Sequence, residues 1–159
     1  MQKGFLELQE NKILLIELAQ NNRSKEFKSQ LKTVDDIDFK DANEETLLFH
    51  AVKGNSYNIV KILINNDADI NHRNIDDETA IFGAVKNNYA DIVDILLEYG
   101  ADVNIVDNRD YSIKWYAYES NALESIEVMK RYGITDKRNK VDKFELFIKN
   151  FNKDPIDEM

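Results

Sequence analysis

Nine residues, LINNDADIN at 63–71, return as LLEYGADVN at 96–104, a displacement of 33 positions. Sliding the chain by that distance lays TLLFHAVKGNSYNIVKILINNDADIN (46–71) over TAIFGAVKNNYADIVDILLEYGADVN (79–104). Thr46 meets Thr79, Ala51 meets Ala84, and Ile59-Val60 meets Ile92-Val93. Another step reaches SIKWYAYESNALESIEVMKRYGI (112–134), where Ser112 replaces the threonine, Ala117 keeps the alanine and Gly133 matches Gly100. One step back lies ILLIELAQNNRSKEFKSQLKTVDDID (13–38), in which VDDID stands where a later copy has GADVN. A partial copy, DKFELFIKNF (142–151), has room for one helix. A period of this length, held over several copies, signals stacked units, because one helical hairpin cannot bury its own apolar face.

Each copy reads as two helices and a turn. The first helix, such as 79–87, is short and carries a small residue (Ala51, Ala84, Ala117) where neighbouring helices approach closely. The second, such as 90–99, shows Ile92, Val93, Leu96 and Leu97, an apolar stripe of helical period. Gly100 and Gly133 suit the left-handed residue that ends a helix, and Asp67 is a weaker choice for it. The hydroxyls of Thr46, Thr79 and Ser112 are placed to cap the first helix of each copy.

At these residues the chain resembles the ankyrin repeat family, whose pattern runs roughly D-x-x-G-x-T-P-L-H-x-A-A, then G-x-x-x-I-V-x-L-L-L, then G-A-D-V-N. The second full copy is most similar, with Thr79, Ile81, Ala84, Ile92-Val93, Ile95-Leu96-Leu97 and Gly100-Ala101-Asp102-Val103-Asn104. The T-P-L-H box is departed from throughout: Leu47, Ala80 and Ile113 stand at the proline, and Phe49, Phe82 and Trp115 at the histidine. The resemblance implies an all-α solenoid of helix-turn-helix units with projecting β-hairpin turns, about five units counting caps. The expected division is an N-terminal capping unit (1–40), full repeats at 41–73, 74–106 and 107–139, a C-terminal capping helix (140–153) and a tail (154–159), forming a single domain.

Chemistry is sparse. With no cysteine there is no thiol nucleophile, disulfide or cysteine-ligated zinc. His50 and His72 lack H-x-x-x-H spacing, so no metal site is expected, and His50 is expected to be half-exposed. The run Asp76-Asp77-Glu78 lacks the alternating oxygens and sharp-turn glycine of a calcium loop. Serving as a general acid or base would require one of these carboxylates beside an apolar wall rather than at a solvated turn. No phosphate-binding or dinucleotide-binding glycine motif occurs, and no G-x-S-x-G. No catalytic residue and no cofactor are expected; a carboxylate-dependent hydrolase is the rival from another class.

Charge is divided unevenly. Residues 1–40 and 108–159 each balance, with 7 Lys+Arg against 7 Asp+Glu and 10 against 10, whereas 41–107 hold 4 against 13, the whole formal charge of −9. Lys and Arg gather only in the short run KRNK (137–140), which argues against nucleic acid, and no amphipathic segment with a basic face points to a membrane surface. The N-terminal apolar run Ile13–Ile16 is too short for a signal peptide or a span, so a cytoplasmic location is expected.

What remains is recognition of another protein. The resemblance implies that partners are held by the turn tips and the inner face of the first helices, which by register gives Asn43, Glu44, Glu45 and Lys53, then Asp76, Asp77, Glu78, Lys86 and Asn87, then Arg109, Asp110, Tyr111, Tyr116 and Glu119. The acidic tips, with Asp107, suit a basic partner, since grouped like charges repel one another and steer an opposite charge inward. In YSIKWYAY (111–118), Trp115 and Tyr118 align with core positions and Tyr111 and Tyr116 with the inner surface, where they are candidate anchors, the alternative for each of the four being core packing. The expectation is a monomer that binds a protein on its concave acidic face as an inhibitor or immunity-type protein, the alternative being a plain adaptor or scaffold.

Overall fold

The computed structural model describes residues 2–134. The expected capping helix (140–153), tail (154–159), KRNK run and last residues of the third full unit lie outside them. Eight α-helices follow in chain order: α1 (Gln2–Gln20), α2 (Ser24–Gln30), α3 (Leu47–Lys53), α4 (Tyr57–Ile64), α5 (Ala80–Lys86), α6 (Ala90–Glu98), α7 (Ile113–Glu119) and α8 (Leu123–Arg131), with a 3-10 turn at Leu31–Thr33. Helices α1, α3, α5 and α7 pack successively in one layer and α2, α4, α6 and α8 in the other.

The core runs between the layers. Ala51, Ala84 and Ala117 are all but fully buried, as are Ile59, Val60, Ile92, Val93 and Leu96. The aromatics at the histidine register diverge: Phe49 and Phe82 are buried and Trp115 is half-buried. Gly54 closes α3 against the end of α1, where an added Cβ would lie 2.4 Å from the Gln20 carbonyl oxygen. No larger residue fits there without displacing backbone.

Residues of left-handed φ recur every 33 positions in three series: Asn22, Asn55, Asn88 and Asn121; Glu44, Asp77 and Asp110; and Asp67, Gly100 and Gly133. The first series ends the first helix of each unit. There the amides of Arg23, Ser56, Tyr89 and Ala122 donate to the carbonyls five residues earlier, Leu18, Ala51, Ala84 and Ala117. The third ends the second helices in the same way, with Ala68, Ala101 and Ile134 donating to Leu63, Leu96 and Met129. Such closures satisfy the orphaned carbonyls of a helix end, and asparagine and glycine tolerate the conformation best. Asp67 takes that conformation as expected.

Two expectations are corrected. The connections are tight turns rather than β-hairpins: among the described residues no strand forms and the sole bridge pairs Val106 with Ser112. Each tip is closed by two main-chain bonds: the amides of Asp41, Asn74 and Asp107 donate to the carbonyls of Glu45, Glu78 and Tyr111, and the amides of Glu44, Asp77 and Asp110 donate back to the carbonyls of Asp41, Asn74 and Asp107. Of the three expected caps only Ser112 acts, accepting from the Trp115 amide at 3.3 Å; the hydroxyls of Thr46 and Thr79 are buried without a hydrogen-bond partner.

Candidate protein-binding face

The second series of left-handed residues builds the tips. In each, the first residue turns its side chain back onto its own loop. Asp41 Oδ1 accepts from the amides of Asn43 (2.8 Å) and Glu45 (2.9 Å), Asn74 Oδ1 from Asp76 and Glu78 (3.0 Å each), and Asp107 Oδ1 from Arg109 (2.9 Å) and Tyr111 (2.8 Å). Neighbouring tips are linked, the Ile75 amide donating to the Asn43 carbonyl and the Asn108 amide to the Asp76 carbonyl. Short polar side chains that bond their own backbone favour such turns.

This geometry changes the expected acidic face. Glu45 is buried and ion-paired with Lys53, and Glu78 is half-buried and ion-paired with Lys86. Both carboxylates point along the inner helix face rather than out of the tips, because the lysine eight residues on draws them inward. Asp107 is buried beneath Tyr116 and Arg109. The exposed acids are Glu44, Asp76, Asp77 and Asp110, of which Glu44 pairs with Lys40 and Asp77 with Arg73. Eight tip and inner carboxylates (Asp41, Glu44, Glu45, Asp76, Asp77, Glu78, Asp107, Asp110) face five cations (Lys40, Lys53, Arg73, Lys86, Arg109), so the negative excess on this side is three. Much of the remaining excess lies on the second-helix side, at Asp67, Asp69, Asp91, Asp94, Glu98 and Asp102.

The aromatic expectation is also partly reversed. Tyr116, expected on the surface, is 7% exposed, and Tyr118, expected in the core, is 41% exposed. Tyr116 sits edge-on to Phe82 at 5.9 Å with the Lys86 ammonium 4.1 Å above its ring, and its hydroxyl donates to Asp107 Oδ2 at 2.7 Å. Tyr118 takes the register of Val52 and Val85, which are covered by the following unit; among the described residues no first-layer helix follows α7. The half-buried pair is Tyr111 and Trp115, stacked with ring centroids 4.0 Å apart and planes 20° off parallel. The Arg109 guanidinium lies 5.5 Å from the Tyr111 ring and bonds to Asp107 and to the Tyr116 hydroxyl. Asn43, Lys53, Asn87 and Glu119 are exposed as expected.

Burial acts on these groups unequally. Burial by itself would push Asp107 upward, but hydrogen bonds from Tyr116, from the Tyr111 and Arg109 amides and from the Arg109 side chain outweigh it and hold the carboxyl below its ordinary range. Tyr116 is raised, first by burial and then by the Asp107 carboxylate that accepts its hydrogen bond, so the phenol keeps its proton and remains a donor. His50, expected half-exposed, is 5% exposed, and burial lowers it below its ordinary 6.5 against the opposing pull of Asp41 and Glu45.

His50 also belongs to a grouping that its spacing along the chain does not suggest. Ligand atoms of Asp41, Glu45 and His50 lie within 4.8 Å of one another, the two acids on the turn and the imidazole on α3. His50 Nε2 is 3.2 Å from Asp41 Oδ2, within ion-pair distance, yet its direction makes no hydrogen bond. The Gln20 amide nitrogen stands 3.0 Å from Nδ1 on the other side of the ring. The signal available in sequence was the register: Asp41, Asn74 and Asp107 align, as do His50, Gly83 and Tyr116.

Paired helices in two layers, closed by recurrent left-handed residues and joined by tips on one edge, define a helical repeat array. A family model described as ankyrin repeats (3 copies) matches residues 15–107, more than half of the chain, and the chain belongs to the ankyrin repeat family. Ankyrin arrays are in general protein–protein interaction modules, a non-enzymatic fold. Among curated proteins none matches significantly. No described helix is long and apolar enough to cross a membrane.

Proposed function

We propose that this chain binds a basic partner protein along its tips and inner helix face, anchoring it on the Tyr111–Trp115 stack and masking the partner's basic surface as an inhibitor. The observation that carries the reading is the juxtaposition at the third tip: two stacked aromatics, half-buried and therefore partly available, next to exposed Asp110, with exposed Asp76 of the neighbouring tip bonded to Asn108. Aromatics held rigid in this way concentrate interface energy, since little rotamer entropy is lost on docking. The reduced excess of acid on this side still favours a cationic segment, although Glu45, Glu78 and Asp107 are already neutralised within the chain.

The test is capture of partners with the full chain, followed by a salt titration of the complex. The expected result is a basic partner whose affinity falls steeply as salt rises through the range where the screening length drops from about 30 to about 8 Å. Tyr111→Ala should weaken the complex by about 2 kcal/mol. Only neutral or acidic partners, or binding indifferent to salt, would overturn the electrostatic inhibitor and leave the adaptor.

A further inference from the structure

We propose that Asp41, Glu45 and His50 form a binding site for one divalent metal ion of the zinc class, set where the first full tip meets α3. The proposal stands apart from partner binding and rests on three observations. The donors are already gathered, all within 4.8 Å of one another. The side chain of His50 is 6% exposed and that of Glu45 9%, so two of three ligands are withdrawn from competing solvent. His50 Nε2 is buried without a hydrogen bond and lies 3.2 Å from Asp41 Oδ2. Bond lengths of about 2.0–2.1 Å at a tetrahedral zinc set neighbouring donors about 3.3 Å apart, so that edge of the polyhedron is in place.

The surroundings supply what such a site needs. Asp41 Oδ1 is held by two amides, which leaves Oδ2 as the ligand oxygen and sets its direction. Gln20 adjoins the far ring nitrogen; with its amide turned so that the carbonyl accepts from Nδ1–H, the lone pair of Nε2 faces the carboxylates. Nitrogen beside two carboxylates selects zinc or cobalt over magnesium or calcium, and water completes four-coordination. The Lys53 ammonium, paired with Glu45 and itself half exposed, stands in for the metal's charge and swings out when the ion enters. The other units lack the set: Gly83 has no side chain to offer, and Tyr116 presents a phenol that donates to Asp107.

The experiment titrates the full, chelator-treated chain with zinc and, separately, with magnesium, while following the imidazole nitrogens of both histidines by NMR. One equivalent of zinc should shift Nε2 of His50 and leave His72 unmoved; magnesium should shift neither. Cobalt should give the absorption of a four-coordinate centre. His50→Gln and Asp41→Asn should each weaken binding at least tenfold, and Gln20→Ala about tenfold through the ring it orients. His72→Ala should change nothing, and Lys53→Ala should tighten binding by removing the competing cation. An unmoved His50 in the wild-type chain, equal affinity in His50→Gln, or no tightening in Lys53→Ala would each overturn the site.

Discussion

The first and third full units share a backbone and differ in how one carboxylate is satisfied. In both, an aspartate at the start of the tip gives one oxygen to two amides of its own turn, and its second oxygen looks toward the side chain nine positions on. In the third unit that oxygen receives the Tyr116 hydroxyl and the Arg109 guanidinium. In the first it meets His50 Nε2 without a directed bond, with a second carboxylate alongside. Equivalent scaffolds therefore hold a closed polar network in one unit and an unsatisfied one in the other. A buried polar atom without a partner costs free energy, whereas a completed network holds its tip in one arrangement.

Breaking the completed network should have the largest effect. Tyr116→Ala removes a buried ring and the donor to Asp107 together, and should cost about 3–5 kcal/mol in urea unfolding. A loss below about 1 kcal/mol, the ordinary range for surface positions, would mean that the third tip does not depend on it. Gly54→Ala probes the junction between the ends of α3 and α1: its Cβ would press on the carbonyls of Gln20 and Ala19, at a cost of about 1–3 kcal/mol. Gly83→Ala, whose nearest new contact is Val52 Cγ1 at 3.4 Å, should be neutral or gain up to about 1 kcal/mol from helix propensity. Opposite signs at these two glycines would separate close backbone approach from propensity.

Tyr116→Phe is the finer cut, keeping the ring and deleting the hydroxyl. It should cost about 1 kcal/mol and raise the Asp107 carboxyl, visible as unfolding that begins at higher pH on the acid side. Stability from Asp107 is present above the ordinary 3.8 and is lost as pH falls through its lower folded value.

His50 titrates with the same sign in a higher pH window. Its folded value lies below 6.5, so the unfolded chain binds more protons between the two, and stability rises with pH across that interval. Denaturation midpoints should therefore fall on acidification below 6.5 in the wild type and lose that slope in His50→Gln. Smallest of all, Lys53→Ala should cost about 0.5 kcal/mol or less, as half-exposed ion pairs do. Lys86→Ala should cost more, because its side chain is 27% exposed and its ammonium also covers the Tyr116 ring.

The repeat period, the helix pairs and the buried alanines were legible in sequence, because a repeat of fixed length spells its core at the same place each time. The asparagines at 22, 55, 88 and 121 share the period, but the structure alone revealed that they take the left-handed conformation. The candidate face was legible only in part. Tyr111 lies where register placed it, while Tyr116 and Tyr118 exchanged roles, and Glu45, Glu78 and Asp107 turned out to be committed within the chain. Alignment locates a position along the helix but not the neighbours that claim its side chain.

The order of residues alone determined that this chain stacks helical hairpins, since no single copy can bury its apolar stripe and the full copies end their helices with residues that tolerate positive φ. Which carboxylates remain available was decided only in three dimensions. Lysines eight residues away, a tyrosine nine residues away and a histidine on the adjoining helix reach those acids across a turn, and distance through space, not spacing along the chain, sets the strength of their interactions.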